Sequence, residues 1–228
     1  MSRAKWLADR RARGFDRPRP AVLRVANLGS VTFAAERSRR NYDRALETPG
    51  KFGRPHAIAA CELADVDAKA AGSESWLTFQ RGPIGSPDSA LGMAARRGRV
   101  QMSHPSLHEG TARTREGGGI RRRPILAAIF LFDPRTPNAW ACRIKIGHAP
   151  PKRAPKARAA YLRRFVAVPA RIDCGDLNIG HRWAARLLGK RVYSAGVLHV
   201  AVPRWIPVRF STVDIGSDHP AIDVLLWP

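Results

Sequence analysis

Apolar residues in this chain come in short alternating or unbroken runs, separated by polar clusters rich in Gly, Pro, Asn and Asp. Residues 125–132 (ILAAIFLF) are unbroken, the pattern of a central strand covered on both faces. Residues 140–146 alternate, with Trp140, Cys142, Ile144 and Ile146 on one face and Arg143 and Lys145 on the other, which predicts a half-buried strand. Shorter runs at 21–26, 57–61, 76–80, 89–95, 197–202 and 221–227 read as further strands, 166–172 as the approach to another, and 207–213 as the lead into the last turn at 216–220. Two segments have a helical period. In 31–46, Val31, Ala34, Ala35, Tyr42, Ala45 and Leu46 share a face, and Thr48-Pro49-Gly50 stops the helix. In 152–165, Ala154, Ala157, Tyr161, Leu162 and Phe165 turn toward the core. Residues 103–123 follow neither period and read as a mobile basic loop over a substrate groove. The alternation of strands and helices is that of an α/β chain.

A length of 228 residues suits one domain, here 21–228, preceded by a basic arm at 1–20 with six arginines and one lysine against two aspartates. The arm lacks the apolar stretch of a secretory signal, and no apolar run approaches the ~20 residues of a membrane span, so a cytoplasmic protein is expected, as a monomer. Cys61, Cys142 and Cys174 are scattered through apolar runs and read as buried thiols rather than a disulfide or zinc framework. Lys and Arg number 40 against 18 acidic residues, a net charge of +22. Alanine, glycine and proline are plentiful too, and a GC-rich genome explains arginine in place of lysine, but not that excess. The charge points to a polyanionic partner, nucleic acid, with a merely basic surface as the alternative.

Polar groups recur where the apolar strands end: Asn27, Glu62, His148, Asp176 with Asn178, and Asp218 with His219. An Asp beside an Asn suits hydrolysis, because the carboxylate can take a proton from water or bind a metal while the amide donates to a phosphate oxygen. The same Asp-Leu-Asn triplet also suits an ordinary Asx turn. Three carboxylates, two carboxamides and two histidines at strand ends make the turn reading harder to hold for all of them.

The order strand–Asn27, PHAIAACE ending at Glu62, IGHAPP with His148, GDLN with Asp176 and Asn178, and a C-terminal SDHP resembles the endonuclease/exonuclease/phosphatase superfamily, which includes deoxyribonuclease I and the exonuclease III-type enzymes. The resemblance implies a four-layer α/β sandwich of two packed mixed sheets flanked by helices. It implies a Mg²⁺-dependent phosphodiesterase, with Mn²⁺ as a substitute, acting on nucleic acid, with DNA the expected substrate. Glu62 would bind the metal, supported by Asn27 and Asp218. Asp176 and Asn178 would position water and phosphate, and His148 and His219 would act on the scissile group. Arg121, Arg122, Arg123, Lys152, Arg153 and Lys156 would follow the phosphate backbone. One position departs from the pattern: Leu198 stands where an aspartate orienting the terminal histidine is expected. That leaves a non-enzymatic binding protein, or a phosphatase of a small phosphoester, as alternatives.

Overall fold

The computed structural model describes residues 19–28, 35–61, 76–81, 91–110, 114–116, 119–121 and 123–227. Six strands make one mixed sheet: β1 (Ala21–Asn27), β2 (Ala57–Cys61), β3 (Trp76–Arg81), β4 (Leu91–Arg96), β14 (Val208–Val213) and β15 (Ala221–Leu226), in the order β14-β15-β1-β2-β4-β3. The second sheet runs β12-β13-β11-β10-β9-β5, built from β5 (Val100–Met102), β9 (Pro124–Phe132), β10 (Trp140–His148), β11 (Ile172–Asp176), β12 (Arg191–Ala195) and β13 (Leu198–Val202), with β6 (Ser106–Glu109) also paired to β9. A separate hairpin joins β7 (Thr114–Glu116) to β8 (Gly119–Arg121).

The two sheets face each other across one core. Leu23, Val25, Ala59 and Val224 from the first meet Phe130, Ile144, Ile146, Cys174 and Val200 from the second. Alternation along each strand sends the intervening residues outward, where helices cover them. Helix α1 (Ala35–Glu47) lays Tyr42, Ala45 and Leu46 over Ile58, Ala60 and Ala94. Helix α2 (Pro155–Ala167) buries Tyr161, Leu162 and Phe165 against Ile125 and Ala127, and α3 (His181–Leu188) adds Leu187 and Leu188 to the same cluster. The result is helix, sheet, sheet, helix, the four layers expected. Among the described residues, no helix is long and apolar enough to cross a membrane.

Several local readings are corrected. Residues 166–167 finish α2, and the strand begins only at Ile172. The described residues between 103 and 123 include the strands β6, β7 and β8, and the edge of β9 offers backbone partners to 106–109. Strand β9 is paired on both sides, yet Ile129 is 47% exposed. Lys145, expected outside, is buried: its ammonium donates to the carbonyls of Phe165 and Val168 at the end of α2 and lies 3.3 Å from Asp173. A cation there meets the negative end of the helix.

Candidate active site

The ends of β1, β10 and β11 point the same way. Strands β10 and β11 are parallel with His148 opposite Asp176, and β13 brings Leu198 opposite Asp176 from the other side. Strands β1 and β2 are also parallel, with Asn27 opposite Cys61. Alternation fixes the facing: Val25, Ile146, Cys174 and Val200 belong to the inter-sheet core, so Asn27, His148, Asp176 and Leu198, two residues away, face the same cleft. One polar group from each sheet therefore meets across the mouth of the sandwich. Asn27 donates through Nδ2 to Asp176 Oδ2 at 3.1 Å, a bond between residues 149 apart in sequence.

The Asp176 carboxylate is buried, with 4% of the residue exposed. Its Oδ1 accepts the Asn178 N–H at 3.0 Å, closing an Asx turn. Asn178 takes a left-handed conformation (φ 51°) that asparagine tolerates better than most residues. Its amide donates to Ala149 O at 2.8 Å, and its carbonyl accepts from Arg158 of α2 at 3.2 Å. The turn reading and the site reading thus describe one structure. Gly175 (φ 132°) is required just before it: a Cβ there would run into the Gly147 carbonyl on β10. Burial pushes the Asp176 carboxyl above the usual carboxylate range, while the Asn178 N–H, the nearby His219, the Asn27 amide and Arg123 pull the other way. An elevated carboxyl in a cleft is suited to exchanging protons.

His219 and the exposed Asp218 lie on the turn between β14 and β15. Strand β15 runs antiparallel to β1 with Val25 opposite Ile222, so this turn lies at the Asn27 end of the sheet. A Cβ on Gly196, in the β12–β13 turn, would sit 3.7 Å from His219 Nδ1, which sets the imidazole beside the strand carrying Leu198. Ser217 Oγ donates to His219 O. The sequence-predicted residues Asn27, His148, Asp176, Asn178 and His219 therefore gather at one end of the sandwich, with Asp218 next to His219. Glu62, the residue after Cys61, and Arg122 lie outside the described residues, as does the Arg121 side chain. Among the described residues, no three His, Cys, Asp or Glu side chains form a metal-binding group.

The basic groups divide. Lys152, Arg153 and Lys156 are exposed just beyond the end of β10, on the site's side of the sheet. Arg123 is turned inward with 4% exposed, and its guanidinium donates to the carbonyls of His148 and Ala149 at 3.4 Å. It braces the strand end that carries His148, so the three-arginine run does not act as one phosphate contact.

Two positioning residues escaped the sequence reading. Tyr161 is fully buried; its hydroxyl accepts the His148 N–H at 3.0 Å and donates to Pro124 O at 2.9 Å. His199, also buried, bonds through Nε2 to Ile179 O at 2.8 Å and through Nδ1 to Ser194 Oγ at 2.7 Å, tying β13 to the chain after Asn178. Helix α3 and strand β12 were missed outright. Their signals were available: Ala184, Leu187 and Leu188 at helical spacing, then Gly189 in a left-handed C-cap.

No family model and no curated protein matches this sequence. Solved structures do. The human Nocturnin catalytic domain, seen with a bound sulfate anion, is 14% identical; the match covers 92% of this chain and 95% of that one, with a TM-score of 0.65. An endonuclease/exonuclease/phosphatase family protein from Bacteroides thetaiotaomicron is 11% identical over 93% and 100% of the two chains, with a TM-score of 0.62. The Xenopus laevis APE2 catalytic domain is 11% identical over 90% and 91%, with a TM-score of 0.52. The likeness spans both sheets, and the chain has the deoxyribonuclease I-like fold of the endonuclease/exonuclease/phosphatase proteins.

Proposed function

We propose that this chain is a divalent-metal-dependent phosphodiesterase that cuts nucleic acid, DNA first among its substrates. The observation that carries the reading is the Asn27–Asp176 hydrogen bond across the two sheets, with Asn178 and His219 beside it. Ionised Asp176 takes a proton from the attacking water. Asn178 spends one amide hydrogen on Ala149 O, and its other is available to a phosphate oxygen. His219, from the neighbouring turn, serves the same phosphate. Glu62, Asn27 and Asp218 carry the oxygen donors that would hold a hard cation such as Mg²⁺ or Mn²⁺, and such a cation, when bound, would supply neutralisation of charge on phosphorus-bound oxygen. The sulfate seen in Nocturnin is a tetrahedral oxyanion, a shape shared with phosphate. The net charge of +22 favours a long polyanion over a small phosphoester.

A second reading, a binding protein without turnover, is favoured by one residue. Leu198 is fully buried opposite Asp176 and beside the turn that meets His219, where a carboxylate would orient that imidazole. The deciding experiment incubates the full chain and Glu62→Gln with supercoiled plasmid, abasic-site duplex, single-stranded DNA and RNA, in Mg²⁺ and in EDTA. Cleavage by the parent in Mg²⁺ alone, lost in folded Glu62→Gln, is expected. Equal cleavage by both proteins overturns the metal assignment, and binding without cleavage of any substrate supports the second reading.

A further inference from the structure

At the end of the sandwich opposite Asp176, the chain crosses between sheets. Strand β13 leaves the second sheet at Val202, and residues 203–207 carry it to β14 at the edge of the first. Tyr193 of β12 stacks on Phe210 of β14, with centroids 4.5 Å apart and planes within 5°, so the two sheet edges are pinned side by side here. Arg171 immediately precedes β11, five residues before Asp176, about 16 Å along an extended strand.

Around this crossover the surface is basic and aromatic. Trp205, at its centre, is 69% exposed, an unusual condition for so large an apolar ring. Arg171 lies over the Trp205 ring at 5.6 Å, and Arg209 lies over Trp227 at the same distance. Arg191 donates to the Arg204 carbonyl at 3.0 Å, which holds the crossover against the start of β12. Arg171, Arg191, Arg204 and Arg209 are all exposed. Among the described residues, the acidic side chains at this end are engaged: Asp173 with Lys145 and Lys190, Asp133 with Arg99, and Glu47 with Arg54. Among those same residues, the four arginines have no acidic partner, and they stand beside an indole open to solvent.

We infer that this pole is a second nucleic-acid surface, separate from the catalytic end, that holds single-stranded or unpaired nucleotides by base stacking on Trp205 and phosphate contacts to the surrounding arginines. Single strands fit because an exposed indole supplies a face that any base can stack on, while a row of arginines tracks the backbone. A paired duplex buries its base faces and could use only the charges. The surface does not depend on the proposed hydrolysis and would serve a non-catalytic protein equally well.

The test titrates a fluorescent single-stranded oligonucleotide and the matching duplex, in EDTA, against the full-length parent, Trp205→Ala and the double variant Arg204→Glu/Arg209→Glu. All substituted pole residues are exposed, and thermal melts check that each variant folds. Trp205→Ala is expected to weaken single-strand binding roughly five- to a hundredfold and duplex binding far less. The double variant should flatten the slope of log K against log[salt] by about 1.4 for single strands. Parent-like affinity and salt slope in both folded pole variants overturn the inference. So does binding to vesicles of anionic phospholipid that competes fully with the oligonucleotide, which would make the pole a membrane-facing surface. Loss of single-strand binding in the pole variants, with cleavage absent from every protein, would leave this surface standing and remove the enzyme reading alone.

Discussion

Asn27→Ala tests whether the two sheets cooperate in tuning Asp176. The substitution removes the 3.1 Å bond from Asn27 Nδ2 to Asp176 Oδ2, and both residues are 4% exposed. That bond favours the ionised carboxylate, and burial, the larger effect, opposes it. A hydrogen bond to a charged group contributes about 1.5–3 kcal/mol. Asp176 keeps the Asn178 N–H on its other oxygen at 3.0 Å, and a methyl in place of the carboxamide leaves room for water. The low end of the range is therefore appropriate, which is about one pH unit. A general base works when ionised, so activity falls as pH drops through its pKa. Raising that pKa moves the acid limb of the kcat/KM profile toward neutrality by about one unit, a roughly tenfold loss on the limb itself and little loss on the plateau. The assay is plasmid or oligonucleotide cleavage across about pH 5 to 9, with circular dichroism confirming the fold. An acid limb that stays in place in a folded, active variant refutes the reasoning, since Asp176 would then not be the group whose ionisation limits the rate.

Other consequences can be checked separately. The pKa of Asp176 is raised on folding, so its contribution to stability is present below its unfolded value and is lost as pH rises through the folded one. The melting temperature of Asp176→Asn relative to the parent should therefore climb from acid to neutral pH, and a constant offset across calorimetric scans would contradict this. Leu198→Asp places a carboxylate opposite Asp176 and beside the turn meeting His219, which should raise both groups' pKa values and carry activity toward alkaline pH. Burying an unpaired Asp is costly, so its melt must be read alongside the kinetics, and a pH profile identical to the parent's would mean that another group orients His219. Tyr161→Phe strips the partner from the His148 N–H and should cost about 1–3 kcal/mol in urea denaturation, with values near zero arguing that water replaces the hydroxyl.

Much of the strand framework was legible because alternation and unbroken apolar runs report burial directly. The run at 57–61 is β2 residue for residue, and the GDLN segment announced its turn through residue types that favour one. The polar groups at strand ends were visible one by one, and a resemblance in their order anticipated the two packed sheets. Local pattern could not carry everything. Arg123 looked like its neighbours in a basic run, and only the packing of β9 beside β10 turned it inward onto the His148 carbonyl. Lys145 alternated as an outward residue should, but outward from the sheet there means beneath α2. Asn27 and Asp176 are far apart in sequence, and no periodicity links them. Parallel pairing within each sheet sets the height of each strand end, and the stacking of one sheet on the other brings the two side chains within hydrogen-bonding distance. The basic, aromatic pole is likewise a product of tertiary structure: Arg171 stands before β11 and Trp205 in the crossover after β13, and they meet only because β13 hands the chain from one sheet to the other.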